Sequence, residues 1–206
     1  MTELEKKINV LHIVGGKKSN GVFKGAYIFH EALLGLKINS KILNDENNKN
    51  IKNDNFVYIN KNLYSNVLKN FFILIEKTLK TIFLHSPRET FTFNFFGFDL
   101  TKIKEYKEAD IIHIHWLGEG FINLRSISKI KKPVVWTIRD MWPFTGGSHY
   151  TMDFEKYERG FLAKFVRRFK KNCFKKNIHF VTTSKWMKRI AEQSEILKNK
   201  KITQID

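Results

Sequence analysis

The sequence predicts an α/β domain, a Rossmann-like parallel sheet flanked by helices, and three observations carry that prediction. Apolar runs of five to seven residues, at Ile8–Val14, Ile111–Trp116, Pro133–Ile138 and Ile178–Thr182, show no alternation, as strands buried on both faces do. The gap between the second and third of these runs is the length of one helix. That spacing implies a parallel βαβ unit, whose crossover must be right-handed for the helix to pack back on the sheet. The first run leads into Gly15-Gly16 and then a helical pattern, a strand, glycine loop, helix opening.

Along the chain, Val22, Phe23, Ala26, Tyr27, His30, Leu33 and Leu34 recur at i, i+3, i+4 spacing, one face of an amphipathic helix, and Ser40 to Leu43 resumes an extended run. Asp45 to Asp54 is polar and aperiodic, a surface loop without chemistry. Phe56 to Ile59 is a short strand candidate. Leu63 to Leu84 is a long helix whose wide apolar stripe serves either core packing or a basic amphipathic surface leaning on a membrane. Phe91 to Phe98 forms an aromatic loop or short strand covering the domain. After Tyr150 a helix is expected with Phe161, Leu162, Phe165, Val166, Phe169 and Cys173 on one face and Lys164, Arg167, Arg168, Lys170 and Lys171 on the other. That basic face is either solvated or in contact with anionic lipid. Ile178 to Thr182, a helix from Trp186 to Leu197 capped by Thr183 or Ser184, and a strand beginning at Ile202 complete the pattern.

At 206 residues the chain has the size of one large domain, or of one domain and the beginning of another. Cys173 is the single cysteine, so no internal disulfide and no cysteine-built zinc site can form, which fits a reducing cytoplasm. No signal peptide and no apolar run of membrane-spanning length is present. With 37 Lys and Arg against 20 Asp and Glu, the net charge of +17 favours anionic partners, or reflects the coding composition of the source. Nucleic acid is not among the expected partners, because no recognition motif is present and the aromatics fall at core-like spacings.

Ligands of open α/β sheets bind beyond the carboxyl ends of the strands, so chemistry is expected at the tips of the central runs. His113 and His115 alternate on one strand and share a face; hydrogen bonding suits them better than a metal, for which an i, i+2 pair is a poor sign. Arg139 and Asp140 follow the next strand and precede Trp142, Pro143 and a Thr145-Gly146-Gly147 turn. This is either a polar pocket with an aromatic wall suited to sugar rings or a structural ion pair. Gly15-Gly16 lacks the further glycine of the dinucleotide fingerprint, and no acidic residue stands out at the end of the second strand. The pair therefore serves a phosphate or only a tight turn. HExxH, Walker and GxSxG motifs are absent.

The segment VVWTIRDMWPFTGGSHYT preceded by ADIIHIHW, together with INVLHIVGG, NGVFKGAYIFHEALLGLKINSKIL, FNFFGFDLTKI and VTTSKWMKRIAEQS, resembles the N-terminal, acceptor-side domain of glycosyltransferase family 4 enzymes. It is most similar to those of surface-polysaccharide assembly related to the colanic acid transferases. The resemblance implies half of a GT-B fold: residues 1–200 as a Rossmann-like acceptor-binding domain, and 201–206 as the start of a linker or second domain that the chain lacks. It implies sugar transfer with retention, with a nucleotide-sugar as donor substrate and no cofactor or obligatory metal. The acceptor would be a glycan or lipid-linked molecule at the cytoplasmic membrane face. Gly15 and Gly16 would line the donor phosphates; Arg139 and Asp140 would be catalytic; His115, Trp116, Trp142 and His149 would border the acceptor. Many relatives carry His where Arg139 stands, and the cysteines they place near Ser148 and Phe154 are missing here. Without the donor domain the chain is expected to be inactive alone; the alternative is a non-catalytic or membrane-surface module pairing with a separate donor-domain protein.

Overall fold

A computed structural model of the chain describes residues 7–45, 54–59, 63–84, 91–150, 158–175 and 177–205. Seven parallel strands form one sheet in the order β3-β2-β1-β4-β5-β6-β7. They are β1 (Asn9–Val14), β2 (Asn39–Asn44), β3 (Phe56–Tyr58), β4 (Ile111–Trp116), β5 (Val134–Ile138), β6 (Ile178–Thr182) and β7 (Lys201–Gln204). The expected Rossmann-like α/β architecture is the observed one. The chain winds outward from β1 to β3, then returns to the other side of β1 as β4, so the strand order reverses between β1 and β4. Their carboxyl ends, Val14 beside Trp116, flank that switch point, where such sheets open a crevice.

The helices are α1 (Gly21–Gly35), α2 (Leu63–Leu84), α3 (Lys104–Glu108), α4 (Leu124–Lys129), α5 (Phe161–Cys173) and α6 (Lys185–Gln193). The larger core holds Leu11, Ile13, Ile112, Ile114, Trp136 and Phe180 from one face of the sheet, with side chains of α4 and α6. A smaller cluster, Val14, Phe23, Ala26 and Ile42, lies on the other face under α1. The helix expected from Trp186 to Leu197 stops at Gln193, and Ser194 starts a turn by accepting from the Leu197 N–H. Most of the predicted polar loop, residues 46–53, lies outside the described residues.

Two expectations about α5 need correction. Its buried face is Ala163, Val166, Lys170 and Cys173, whereas Phe161 and Phe165, expected inside, are exposed. Lys170, assigned to the basic face, is four residues after Val166 and seven after Ala163, so helical geometry turns it inward. Its ammonium donates to the Trp142 and Thr145 carbonyls and lies 3.6 Å from the Trp142 ring centroid. Burial pushes the lysine well below its ordinary pKa.

Candidate active site

The site grows from the tips of β1, β4 and β5. A Cβ on Gly15 would lie 2.3 Å from Gly118 Cα, so only glycine lets the two loops touch there. The Gly15 N–H donates to the Trp116 carbonyl at 2.9 Å and seals that contact. Gly16 sits at φ +81°, with the Trp116 ring where its Cβ would be. The Gly16 N–H donates to Asp45 Oδ1 at 2.6 Å. Both glycine amides expected to line phosphates are therefore engaged within the chain, and an anion at Gly16 must displace the Asp45 carboxylate. Asp45, an acidic residue just beyond β2, thus has a role that its place at the start of a polar, aperiodic loop does not announce.

On the α1 face of the sheet, His12, His113 and His115 stand on adjacent strands, with His30 above them on α1. His115 is buried, not open to an acceptor. Its Nδ1 lies 3.4 Å from Arg139 Nη2, a long contact, and its Nε2 lies 3.0 Å from His12 Nδ1. Arginine only donates, so His115 Nδ1 accepts, its Nε2 carries the proton and gives it to His12 Nδ1. His12 Nε2–H is then a buried donor without a protein partner among the described residues. His113 bonds Thr137 at 2.8 Å and His30 bonds Ser40 at 2.7 Å. Burial, then the neighbouring imidazoles, lower His12 to about 3. Burial and the Arg139 charge lower His113 to about 4, and His115 falls well below its ordinary value for the same kinds of reason. The imidazoles are neutral, and the charge of this cluster belongs to Arg139.

Arg139 leans on Gly25 of α1, where an added Cβ would meet the guanidinium at 3.0 to 3.1 Å. Burial lowers its pKa, Nε has no partner, and no carboxylate lies within ion-pair distance of it among the described residues. Its sequence neighbour points the other way. Asp140 Oδ1 accepts from the Trp142 N–H at 2.9 Å and Oδ2 from His149 Nδ1–H at 2.7 Å. The sequence left open an Arg139–Asp140 ion pair; just past the end of β5, Asp140 instead turns to the Trp142 amide and His149 while Arg139 turns to His115. His149 is buried, its Nε2 facing Thr92 Oγ1 at 3.1 Å, and its ring meets that of Trp116 edge-on at 6.2 Å.

Trp142 is 2% exposed, packs near Trp136 and donates its indole N–H to the Thr92 carbonyl, so it supports the loop from inside the core and offers no face to a ligand. Of the two tryptophans expected at the crevice, half-buried Trp116 is the one that stays there. Glu158 anchors the Gly146-Gly147 turn by accepting from the Gly146 N–H and Ser148 hydroxyl, with Arg167 against its other side. Sequence reasoning missed His12, His30, Thr92 and Glu158, whose roles come from distant chain segments.

The nitrogens of His12, His113 and His115 lie within 4.8 Å of one another, and three neutral imidazoles suit zinc chemically. A cation bound there would sit beside the Arg139 guanidinium and take a His115 nitrogen that already bonds His12 or contacts Arg139. The donor set thus fits a metal poorly beside that fixed positive charge.

The family model described as Glycosyltransferase Family 4 matches residues 70–206, more than half of the chain. No curated protein matches. Among solved structures, a glycosyltransferase from Rickettsia africae ESF-5 is similar at 16% identity and a TM-score of 0.45, over 98% of this chain and 43% of that one. The chain thus spans less than half the length of that protein.

Proposed function

Starting from a chain that belongs to glycosyltransferase family 4, we infer that this one supplies the acceptor-side half of a GT-B hexosyltransferase of the retaining kind. The donor is a nucleotide-sugar and the acceptor a glycan or lipid-linked molecule of surface-polysaccharide assembly, met at the cytoplasmic membrane face. The unit extends through Gln204, since β7 pairs with β6, and a donor domain completes the cleft.

The observation that carries this reading is Arg139: a half-buried cation at the tip of β5, next to the switch point, held by Gly25 and His115 and lacking a carboxylate among the described residues. A desolvated charge without a partner is costly unless a ligand supplies the opposite charge. In sugar transfer the C1–O bond to the diphosphate breaks, the acceptor oxygen bonds C1 on the same face, and the hydroxyl proton passes to a departing phosphate oxygen. Arg139 faces the charge that develops on the diphosphate. Asp140 acts by fixing His149 and the 139–149 loop, and Trp116 gives the sugar an apolar wall.

In the chain supplied with its donor domain, in one polypeptide or as a separate protein, Arg139→Gln should lower the rate of sugar transfer by about 10²–10³, the usual cost of one electrostatic contact to a transition state. A rate within about threefold of wild type, in a protein of unchanged melting behaviour, counts against the reading.

The exposed apolar stripe of α2 favours a second reading, a non-catalytic membrane-surface module that pairs with a separate donor-domain protein. Co-purification of such a partner, with full transfer activity in Arg139→Gln, would select it.

A further inference from the structure

We propose that the outward sides of α2 and α5 form one surface that docks the chain on an anionic lipid bilayer. On α2, Val67, Phe71, Leu74 and Ile82 are each more than half exposed. They fall at i, i+4, i+7 and i+15, one continuous stripe about 22 Å long at 1.5 Å per residue. Thr78 lies within the stripe and Thr81 beside it; both hydroxyls donate to carbonyls of the preceding turn, Leu74 and Lys77, and so need no water. On α5, Phe161 is 84% and Phe165 50% exposed. Exposed Lys164, Arg168 and Lys171 border them, and the helix carries no acidic residue.

The two helices flank one aromatic segment. Phe96 stacks on Phe72 of α2 at 4.5 Å, Phe95 meets Phe165 and Phe169 of α5, and Leu79 and Leu162 pack against the same small cluster. Their unpartnered apolar residues therefore belong to one flank of the domain. Contiguous exposed apolar side chains mark an interaction surface. Charge chooses the occupant: Lys77 beside the α2 stripe, the three cations of α5 and the net +17 complement phosphate headgroups. Among the described residues no helix is long and apolar enough to cross a membrane, and an apolar stripe edged by cations is the pattern of a helix that lies in the interface plane.

This surface deepens the reading of a lipid-linked acceptor and is tested apart from it. The chain is sedimented with vesicles of phosphatidylcholine alone and with added phosphatidylglycerol. Binding should rise with the anionic lipid and fall with salt. Lys164→Glu/Arg168→Glu/Lys171→Glu should weaken it about a hundredfold, about fivefold for each charge. Phe71→Ser/Leu74→Ser, which alters only exposed side chains, should lose binding while keeping the wild-type melting temperature. Equal binding to neutral and anionic vesicles, or unchanged binding by both variants, overturns the proposal. So does a dimer in sedimentation equilibrium that Phe71→Ser/Leu74→Ser dissolves while wild type ignores vesicles; the stripe would then be a self-association surface. Transfer to a detergent-solubilised acceptor reports on the catalytic reading alone: if it survives while vesicle binding fails, only the surface falls.

Discussion

Acid should unfold this domain through its buried histidines, and the structure sets the size of the effect. His12 at about 3 and His113 at about 4 stay neutral in the folded state to well below pH 5, whereas the unfolded chain protonates both near 6.5. A base with a depressed folded-state pKa gives stability that is full above the unfolded value and lost as pH falls below it. From pH 7 to pH 5 each histidine costs about 2 kcal/mol, about 4 together, and His115 adds in the same direction. Glu76 works the other way. Burial pushes its carboxyl up to about 7, against the pull of Lys80 and the Phe93 N–H, so the folded state takes up that proton first and gains about 2 kcal/mol over the same interval. The net expectation is a loss of at least about 2 kcal/mol between pH 7 and pH 5, a large share of a typical 5–15 kcal/mol. Urea denaturation at several pH values measures it. His12→Gln should flatten the dependence and Glu76→Gln should steepen it. A stability independent of pH over this range, or a His12 imidazole titrating near 6.5 in the folded protein by NMR, refutes the account of a neutral histidine cluster.

Three further substitutions test the supports of the site. Lys170→Met leaves two buried carbonyls, Trp142 and Thr145, without their donor and should cost about 2–4 kcal/mol in denaturant titrations; an unchanged midpoint would mean that water replaces the ammonium. Gly146→Ala drives a methyl to 2.5 Å from Ala163 Cβ and 2.7 Å from its Cα, and should lower stability by about 1–3 kcal/mol or more, because helix backbone cannot yield as a side chain does. Gly25→Ala meets only the far end of Arg139 and should cost less than about 1 kcal/mol while shifting the guanidinium, a difference that the NMR signal of its Nε–H would report.

The sheet was readable because its central strands are buried on both faces and announce themselves as unbroken apolar runs. α2 was readable to its end residues because one periodicity governs all 22 of them. The failure at α5 has a plain cause. A lysine's charge points to solvent, whereas helical phase puts Lys170 in line with Ala163 and Val166. The site was legible as a location and only partly as a mechanism. Arg139 and Asp140 stood out as strand-tip residues, but their divergence depends on partners from α1 and from the segment around Thr92. His12 and His30 look like ordinary members of a strand and a helix; only the sheet order, which sets β1 against β4, turns them into a cluster with His115.

The claim that matters most is that Arg139 waits for an anion at the switch point, and titration of the chain with inorganic pyrophosphate, followed by NMR, tests it most directly. The account predicts salt-sensitive binding that shifts the signals of Gly25, His115 and Trp116 and is lost in Arg139→Gln, with Lys164→Glu/Arg168→Glu/Lys171→Glu leaving those shifts in place. Equal binding by wild type and Arg139→Gln, or shifts confined to α5, would contradict it.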